Sequence, residues 1–153
     1  MLKENGYCLD SFTLDPIVKE WVRMDEWQKV DDHFKQLLSP SGDLFIYLQK
    51  YLPFTQVETM LAVRDSQNDW EEDGIWHDDG SRQFAISLSL NEFPENIEGG
   101  KLGFRKIGSE TMELISTPKF GEMIVFLSGL YGYEHRIHRV TKGRRVILVA
   151  WFS

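Results

Sequence analysis

Met123-Ile124-Val125-Phe126-Leu127 is apolar at every position. Successive residues of a strand face opposite sides, so a strand of this composition is buried on both, and its sheet has to be covered outside as well as inside. Seven more short runs rich in β-branched and aromatic residues lie around this one, which extends to Ser128. They are Val57 to Arg64, Gly74 to Asp79, Phe84 to Leu90, Lys101 to Ile107, Thr111 to Ser116, Gly132 to Val140 and Arg145 to Phe152, with turn residues such as Gly99-Gly100 and Lys142-Gly143 between them. Eight short strands at close spacing predict a sandwich or jelly roll.

The cover is expected from the residues before Pro53. Between Asp15 and Leu38, Ile17, Val18, Trp21, Val22, Trp27, Val30, Phe34, Leu37 and Leu38 recur at three- and four-residue spacing, which marks an amphipathic helix. Asp15-Pro16 is a helix-start signal and Asp25 followed by Gln28 a second one, so two helices bent near Asp25 fit as well as one. Ser39-Pro40-Ser41-Gly42 ends the pattern, and Leu44 to Leu52 reads as a further short helix. The expected organisation is a single domain, 1–153: a helical lead-in over 1–53, packed on the outer face of one sheet, and a β core over 54–153.

Composition narrows the function. The net charge is −7 over 153 residues, and a chain this acidic lacks the basic face that releases counterions from a nucleic acid. Cys8 is the only cysteine, so no thiolate cluster can hold a metal, and any metal must sit on nitrogen and oxygen. No run is long enough to cross a bilayer and MLKENGYCLD lacks the apolar core of a signal peptide, so a cytoplasmic location without membrane contact is expected. The acidity is concentrated in Asp65, Asp69, Glu71, Glu72, Asp73, Asp78 and Asp79. Trp70 to Gly74 is expected to act as a mobile lid that favours a neutral or basic substrate, although charge runs more often simply face water. Trp70 and Trp76 flank that loop and read as packing residues, and His33, beside Asp32, reads as a surface histidine.

Within Trp76-His77-Asp78-Asp79, an extended strand would project His77 and Asp79 from one side and Asp78 from the other. Imidazole and carboxylate are half of a first-row transition-metal site, and a second histidine would complete a 2-His-1-carboxylate facial triad with open coordination positions. His135 and His138 both compete for that place. Arg144 and Arg145 likewise compete as an anion anchor, because both faces of the final strand are apolar beyond the arginine and parity does not separate them.

His135, Val140-Thr141-Lys142-Gly143 and Arg145, ten positions after that histidine, resemble the distal motif of the Fe(II)/2-oxoglutarate-dependent oxygenases, in the prolyl-4-hydroxylase-like branch. Leu90-Asn91 and Gly99-Gly100-Lys101-Leu102-Gly103-Phe104 are similar to the family's strand end and Gly-Gly-x-Leu-x-Phe stretch, and the resemblance runs from about Val57 to Trp151. It implies a double-stranded β-helix that binds Fe(II) through His77, Asp79 and His135. It implies 2-oxoglutarate as cosubstrate, anchored by the Arg145 guanidinium, and O2 as oxidant. The implied reaction hydroxylates an amino-acid side chain of a protein, peptide or small molecule and releases succinate and CO2. The carboxylate of Asp79 argues against halogenation. Arg64 and Ser89 stand where relatives often carry tyrosines. Arg64 could contact the cosubstrate or a substrate carboxylate, or form a surface salt bridge to the acidic loop. The competing readings are a nucleic-acid demethylase of the same superfamily and a non-catalytic jelly-roll binding module.

Overall fold

The computed structural model describes residues 2–68, 70 and 72–153. After a single helical turn, α1 (Leu2–Asn5), comes a strand, β1 (Tyr7–Ser11), and then three helices, α2 (Ile17–Arg23), α3 (Trp27–Leu37) and α4 (Asp43–Leu48). The remaining strands are β2 (Val57–Asp65), β3 (Phe84–Ser89), β4 (Glu98–Gly99), β5 (Leu102–Lys106), β6 (Glu113–Ile115), β7 (Glu122–Leu127), β8 (Tyr133–Ile137), β9 (Val140–Lys142) and β10 (Arg144–Phe152). Antiparallel pairing throughout builds a five-stranded sheet, β1-β7-β3-β10-β2, facing a three-stranded sheet, β6-β5-β8, with β4 and β9 as a separate pair. This is the jelly-roll arrangement expected from the apolar runs.

The helices form where the periodicity places them. Asp15 Oδ1 accepts the Ile17 amide at 3.0 Å to start α2, and Asp25, with φ +54°, makes the bend before α3. Val18, Val22, Val30, Phe34, Leu44 and Leu48 are buried and join one apolar cluster with Phe84, Ile86, Leu88, Met123, Val125, Val146, Leu148, Ala150 and Phe152 from the large sheet. Phe54 meets Phe45, Phe84 and Phe152 at centroid distances of 4.7, 5.8 and 4.7 Å, which fixes the helices on the outer face. Truncating a fully buried residue there, such as Phe34 to alanine, should cost about 3–5 kcal/mol.

Two expectations need correction. The lead-in is not wholly helical, because β1 pairs with β7 at the sheet edge, and that partner lies too far along the chain for local periodicity to reveal it. Gly74 to Asp79 is not a strand either. It contributes one bridge, His77 to His135, and leaves the sheet immediately afterwards.

Candidate metal centre

The inner face of the large sheet differs in character from the outer one. Antiparallel register sets Met60, Ser87 and Val149 side by side, then Ala85 beside Trp151, and Arg64 opposite Arg145. With Leu102, His135 and Ile137 of the small sheet, Met60, Arg64, Ser87, Arg145, Val149 and Trp151 line one cavity. Of this lining, Trp151 and Ser87 carry no sequence motif and were not singled out in advance.

At its mouth, His77 and His135 exchange backbone hydrogen bonds of 2.9 Å in both directions. This cross-strand pairing puts both rings on one face, 4.1 Å apart. His77 Nδ1 lies 3.0 Å from the Ile75 carbonyl, so in the neutral ring that nitrogen is the donor and Nε2 presents its lone pair inward. His135 Nε2 lies 3.4 Å from Asp79 Oδ2 and His77 Nε2 3.8 Å from Asp79 Oδ1. The ligand atoms of all three lie within 4.8 Å of one another.

Asp79 does not arrive there by strand alternation. Asp78 Oδ1 accepts the Gly80 amide at 3.0 Å and its carbonyl accepts the Gly129 amide at 2.8 Å, which turns the chain. Asp79 then adopts φ +61°, a left-handed conformation costing a non-glycine residue roughly 1–2 kcal/mol, and its side chain swings back toward the histidines. Asp78 stays exposed. A side chain at Gly129 would strike the Asp78 carboxyl at under 3 Å, so glycine is required behind the turn.

The electrostatics suit a cation. Asp79 has a side chain only 6 % exposed, and its Oδ2 has no hydrogen-bond donor among the described residues. Burial pushes its carboxyl above the usual range, against the pull of His77. Burial, helped by His77, pushes His135 down to about 3, so this imidazole is neutral with its lone pair available at any physiological pH. Two nitrogens and one carboxylate, without thiolate, suit a first-row divalent metal better than calcium or magnesium, which prefer all-oxygen sets. The residues present therefore fit the iron that the sequence implies.

At the closed end lies Arg145, 1 % exposed. Its Nε donates to Thr117 Oγ1 at 3.2 Å, and no carboxylate lies within ion-pair distance of it among the described residues. Burial, then the neighbouring Arg64 charge, push it down to about 9, still cationic at neutral pH. Gly100, at φ +69°, packs beneath it, where a Cβ would meet Arg145 Cδ at 2.8 Å. Asn91 braces the strand beside it, accepting the Val146 amide and donating to the Val146 carbonyl and to Ser89 Oγ. The Ser89 hydroxyl is consumed by the Pro118 carbonyl at 2.6 Å.

The alternatives fall elsewhere. Arg144 pairs with Asp25 at 2.6 Å and donates to the Val22 carbonyl, fastening β10 to the helical bend outside the cavity. His138 is not part of the three-residue cluster. Trp76 lies between Arg105 and Arg136, 3.9 and 4.5 Å from its ring. Arg64 does pair with the acidic loop, through Asp73 at 3.3 Å, but the bridge is buried and borders the cavity rather than the surface. Of the segment expected to form a lid, Glu71 lies outside the described residues, as does Asp69 before it. Trp70 stacks on the Arg64 guanidinium at 4.0 Å.

Comparison with known proteins agrees with this geometry. The family described as the 2OG-Fe(II) oxygenase superfamily matches residues 57–153. Human prolyl 3-hydroxylase 2 is 31 % identical over 85 residues, 56 % of this chain but 12 % of that protein, and the rat protein is 29 % identical over the same extent. The chain thus spans about an eighth of the length of these curated relatives. Among solved structures, a Pseudomonas putida prolyl-4-hydroxylase aligns with TM-score 0.65 and 19 % identity, covering 99 % of this chain and 89 % of the other. A Trichoplax adhaerens prolyl hydroxylase in complex with a hypoxia inducible factor peptide fragment aligns at 0.62 with 16 % identity, covering 99 % and 84 %.

Proposed function

We propose, because the chain belongs to the 2OG-Fe(II) oxygenase superfamily, that it hydroxylates an amino-acid side chain of a peptide, protein or small molecule, with residues 1–153 acting as one unit. The family uses Fe(II), 2-oxoglutarate and O2, and this chain is an oxidoreductase of that kind. Iron bound with 2-oxoglutarate and O2 supplies the oxidising power for C–H hydroxylation, the cosubstrate leaving as succinate and CO2.

In this reading His77, Asp79 and His135 hold the iron, the two imidazoles as neutral donors and Asp79 as the anionic one. Arg145 receives the distal carboxylate of 2-oxoglutarate at the closed end, in the two-pronged geometry a guanidinium favours. Arg64 borders the same end. The observation that carries the reading is that one cavity reaches from the His77 and His135 rings, beside the Asp79 Oδ2 that no donor reaches among the described residues, to Arg145, a buried cation with no carboxylate within ion-pair distance among them. Trp151, whose indole lines the cavity and favours the charged form of Asp79, offers a flat apolar wall beside the iron. An aromatic face of that kind suits a pyrrolidine ring. That fit, with the prolyl 3-hydroxylase relatives, makes a prolyl residue the first substrate to try.

The test is iron-dependent succinate formation against prolyl peptides, free amino acids and methylated oligonucleotides. Turnover with a prolyl peptide or free amino acid is expected. Turnover confined to the oligonucleotides would replace this reading with oxidative demethylation.

A further inference from the structure

Arg64 and Arg145 stand directly opposite one another on β2 and β10, 5 % and 1 % exposed. Like charges in that position repel, and more strongly out of water. Something must balance them before any ligand arrives. Glu72 lines the cavity but forms no ion pair with either guanidinium. Among the described residues the anion within ion-pair distance is Asp73, whose Oδ1 lies 3.3 Å from Arg64 Nε with its side chain 11 % exposed. Its charge also reaches Arg145, opposing the push from Arg64.

The backbone holds this carboxylate in place. The Asp73 amide donates to the Trp70 carbonyl at 3.0 Å, and the Gly74 amide to the Ile137 carbonyl of β8 at 2.8 Å. Trp70 covers the Arg64 guanidinium at 4.0 Å, which restricts its escape. Glu72, in the cavity lining, adds a weaker negative field at Arg64, so Asp73 is the principal but not the sole offset to the paired guanidinium charge among the described residues.

We propose that Asp73 is a specificity-determining residue: the built-in counter-ion of the Arg64–Arg145 pair, which lowers the pocket's affinity for anions, and for a dianion more than for a single carboxylate. This rests on the reading of Arg145 as the cosubstrate anchor. Asp73 acts through the two arginines and touches no reacting atom. Removing its charge should therefore tighten binding, an outcome that mere structural damage does not produce.

The experiment is equilibrium binding of 2-oxoglutarate under anaerobic conditions with iron(II) saturating, so that no turnover contributes, in wild type, Asp73→Asn and Asp73→Glu. Asparagine keeps the shape and can still accept from Arg64. Asp73→Asn should bind 2-oxoglutarate at least about fivefold more tightly, the lower end of ordinary coupling between charged sites. Sulfate, a dianion, should compete more strongly in that variant than in wild type. Asp73→Glu, which restores the charge, should return both towards wild type. Unchanged or weaker 2-oxoglutarate binding in Asp73→Asn, or equal sulfate competition in the two proteins, overturns the inference. A wild type that binds no 2-oxoglutarate refutes the cosubstrate reading and takes this inference with it. A wild type that binds it while the variant gains nothing refutes the inference alone.

Discussion

Replacing Arg145 by methionine separates a residue kept for binding from one kept for stability. The guanidinium is 1 % exposed, has one neutral side-chain partner, Thr117, and faces another guanidinium across the ladder. Such a cation is a burden on the empty fold, and exchange for an apolar chain of similar volume should leave the melting temperature unchanged or raise it. Cosubstrate binding should fall instead, because the distal carboxylate of 2-oxoglutarate would enter a closed end with its principal cation removed. Truncating one member of a buried charge pair costs about 2–5 kcal/mol, a loss of about thirtyfold to several thousandfold. Arg145→Lys restores the charge without the planar fork and should recover part of it. Arg144→Ala is the control. It loses the Asp25 pair at 2.6 Å and the bond to the Val22 carbonyl, so it should lower stability modestly and leave 2-oxoglutarate binding within about threefold, a change of under 1 kcal/mol. The measurements are anaerobic calorimetry with iron(II) saturating and thermal denaturation of the same proteins. A lower melting temperature with intact 2-oxoglutarate affinity in Arg145→Met would show that the residue supports the fold, and the reasoning would fail. Loss of affinity in Arg144→Ala alone would place the anchor on the other face of β10 and reopen the choice between His135 and His138.

Three further expectations follow from the metal centre. His77→Ala and Asp79→Ala should each abolish iron binding in equilibrium dialysis, while Asp78→Ala, which loses the cap on the Gly80 amide but keeps the carbonyl bond to Gly129, should weaken it without abolishing it, and wild-type affinity in Asp79→Ala would remove that residue from the ligand set. Metal affinity should rise with pH, because burial raises the Asp79 carboxyl pKa from 3.8 and a binding cation must displace its proton below the raised value. His135, held down at about 3, should add no slope above about pH 4, and metal affinity unaffected by acidification through the carboxylate range would contradict the assignment. Gly100→Ala places a Cβ 2.8 Å from Arg145 Cδ and 3.0 Å from Val140 Cγ2 at φ +69°, so 2-oxoglutarate binding should weaken along with stability, and a variant with wild-type affinity would show that Arg145 has freedom the packing denies it.

The extent to which the site could be read in advance differed from residue to residue, for physical reasons. The outer face of the large sheet and the helices on it were visible as periodicity, because apolar spacing is local information. The pairing of His77 with Asp79 was reached through strand alternation, yet Asp79 sits in a left-handed turn at φ +61°. The two converge because Asp78 caps the Gly80 amide and its carbonyl holds Gly129, a contact with a residue far along the chain. The Gly99-Gly100 motif was visible as letters only. Its reasons are the Arg139 carbonyl, which a Cβ at Gly99 would strike, and the Arg145 side chain above Gly100. Asp73 could not be singled out among its acidic neighbours, because its opposition to Arg64 depends on how the loop folds over β2. Edge strand β1 was missed for the same reason, its stabilisation coming from β7.

Two aspartates in this chain meet burial in opposite ways. Asp10, on β1, accepts hydrogen bonds from Tyr47 and Tyr51 and pairs with Lys50 at 2.9 Å. Although burial pushes its carboxyl upward, these donors and the Ser11 amide hold it down at about 2. Asp79 is raised instead, with an oxygen that no donor reaches among the described residues. A buried carboxylate is costly unless it is compensated, and the fold supplies full compensation where the residue only ties β1 to the end of α4. Where compensation is only partial, the neighbouring groups are a neutral imidazole with a free lone pair and, deeper in the same cavity, a cation with no carboxylate within ion-pair distance among the described residues. Packing alone gives no reason to leave opposite charges incomplete at two ends of one pocket. A metal at one end, with a chelating ligand whose far carboxylate reaches the other, would complete both.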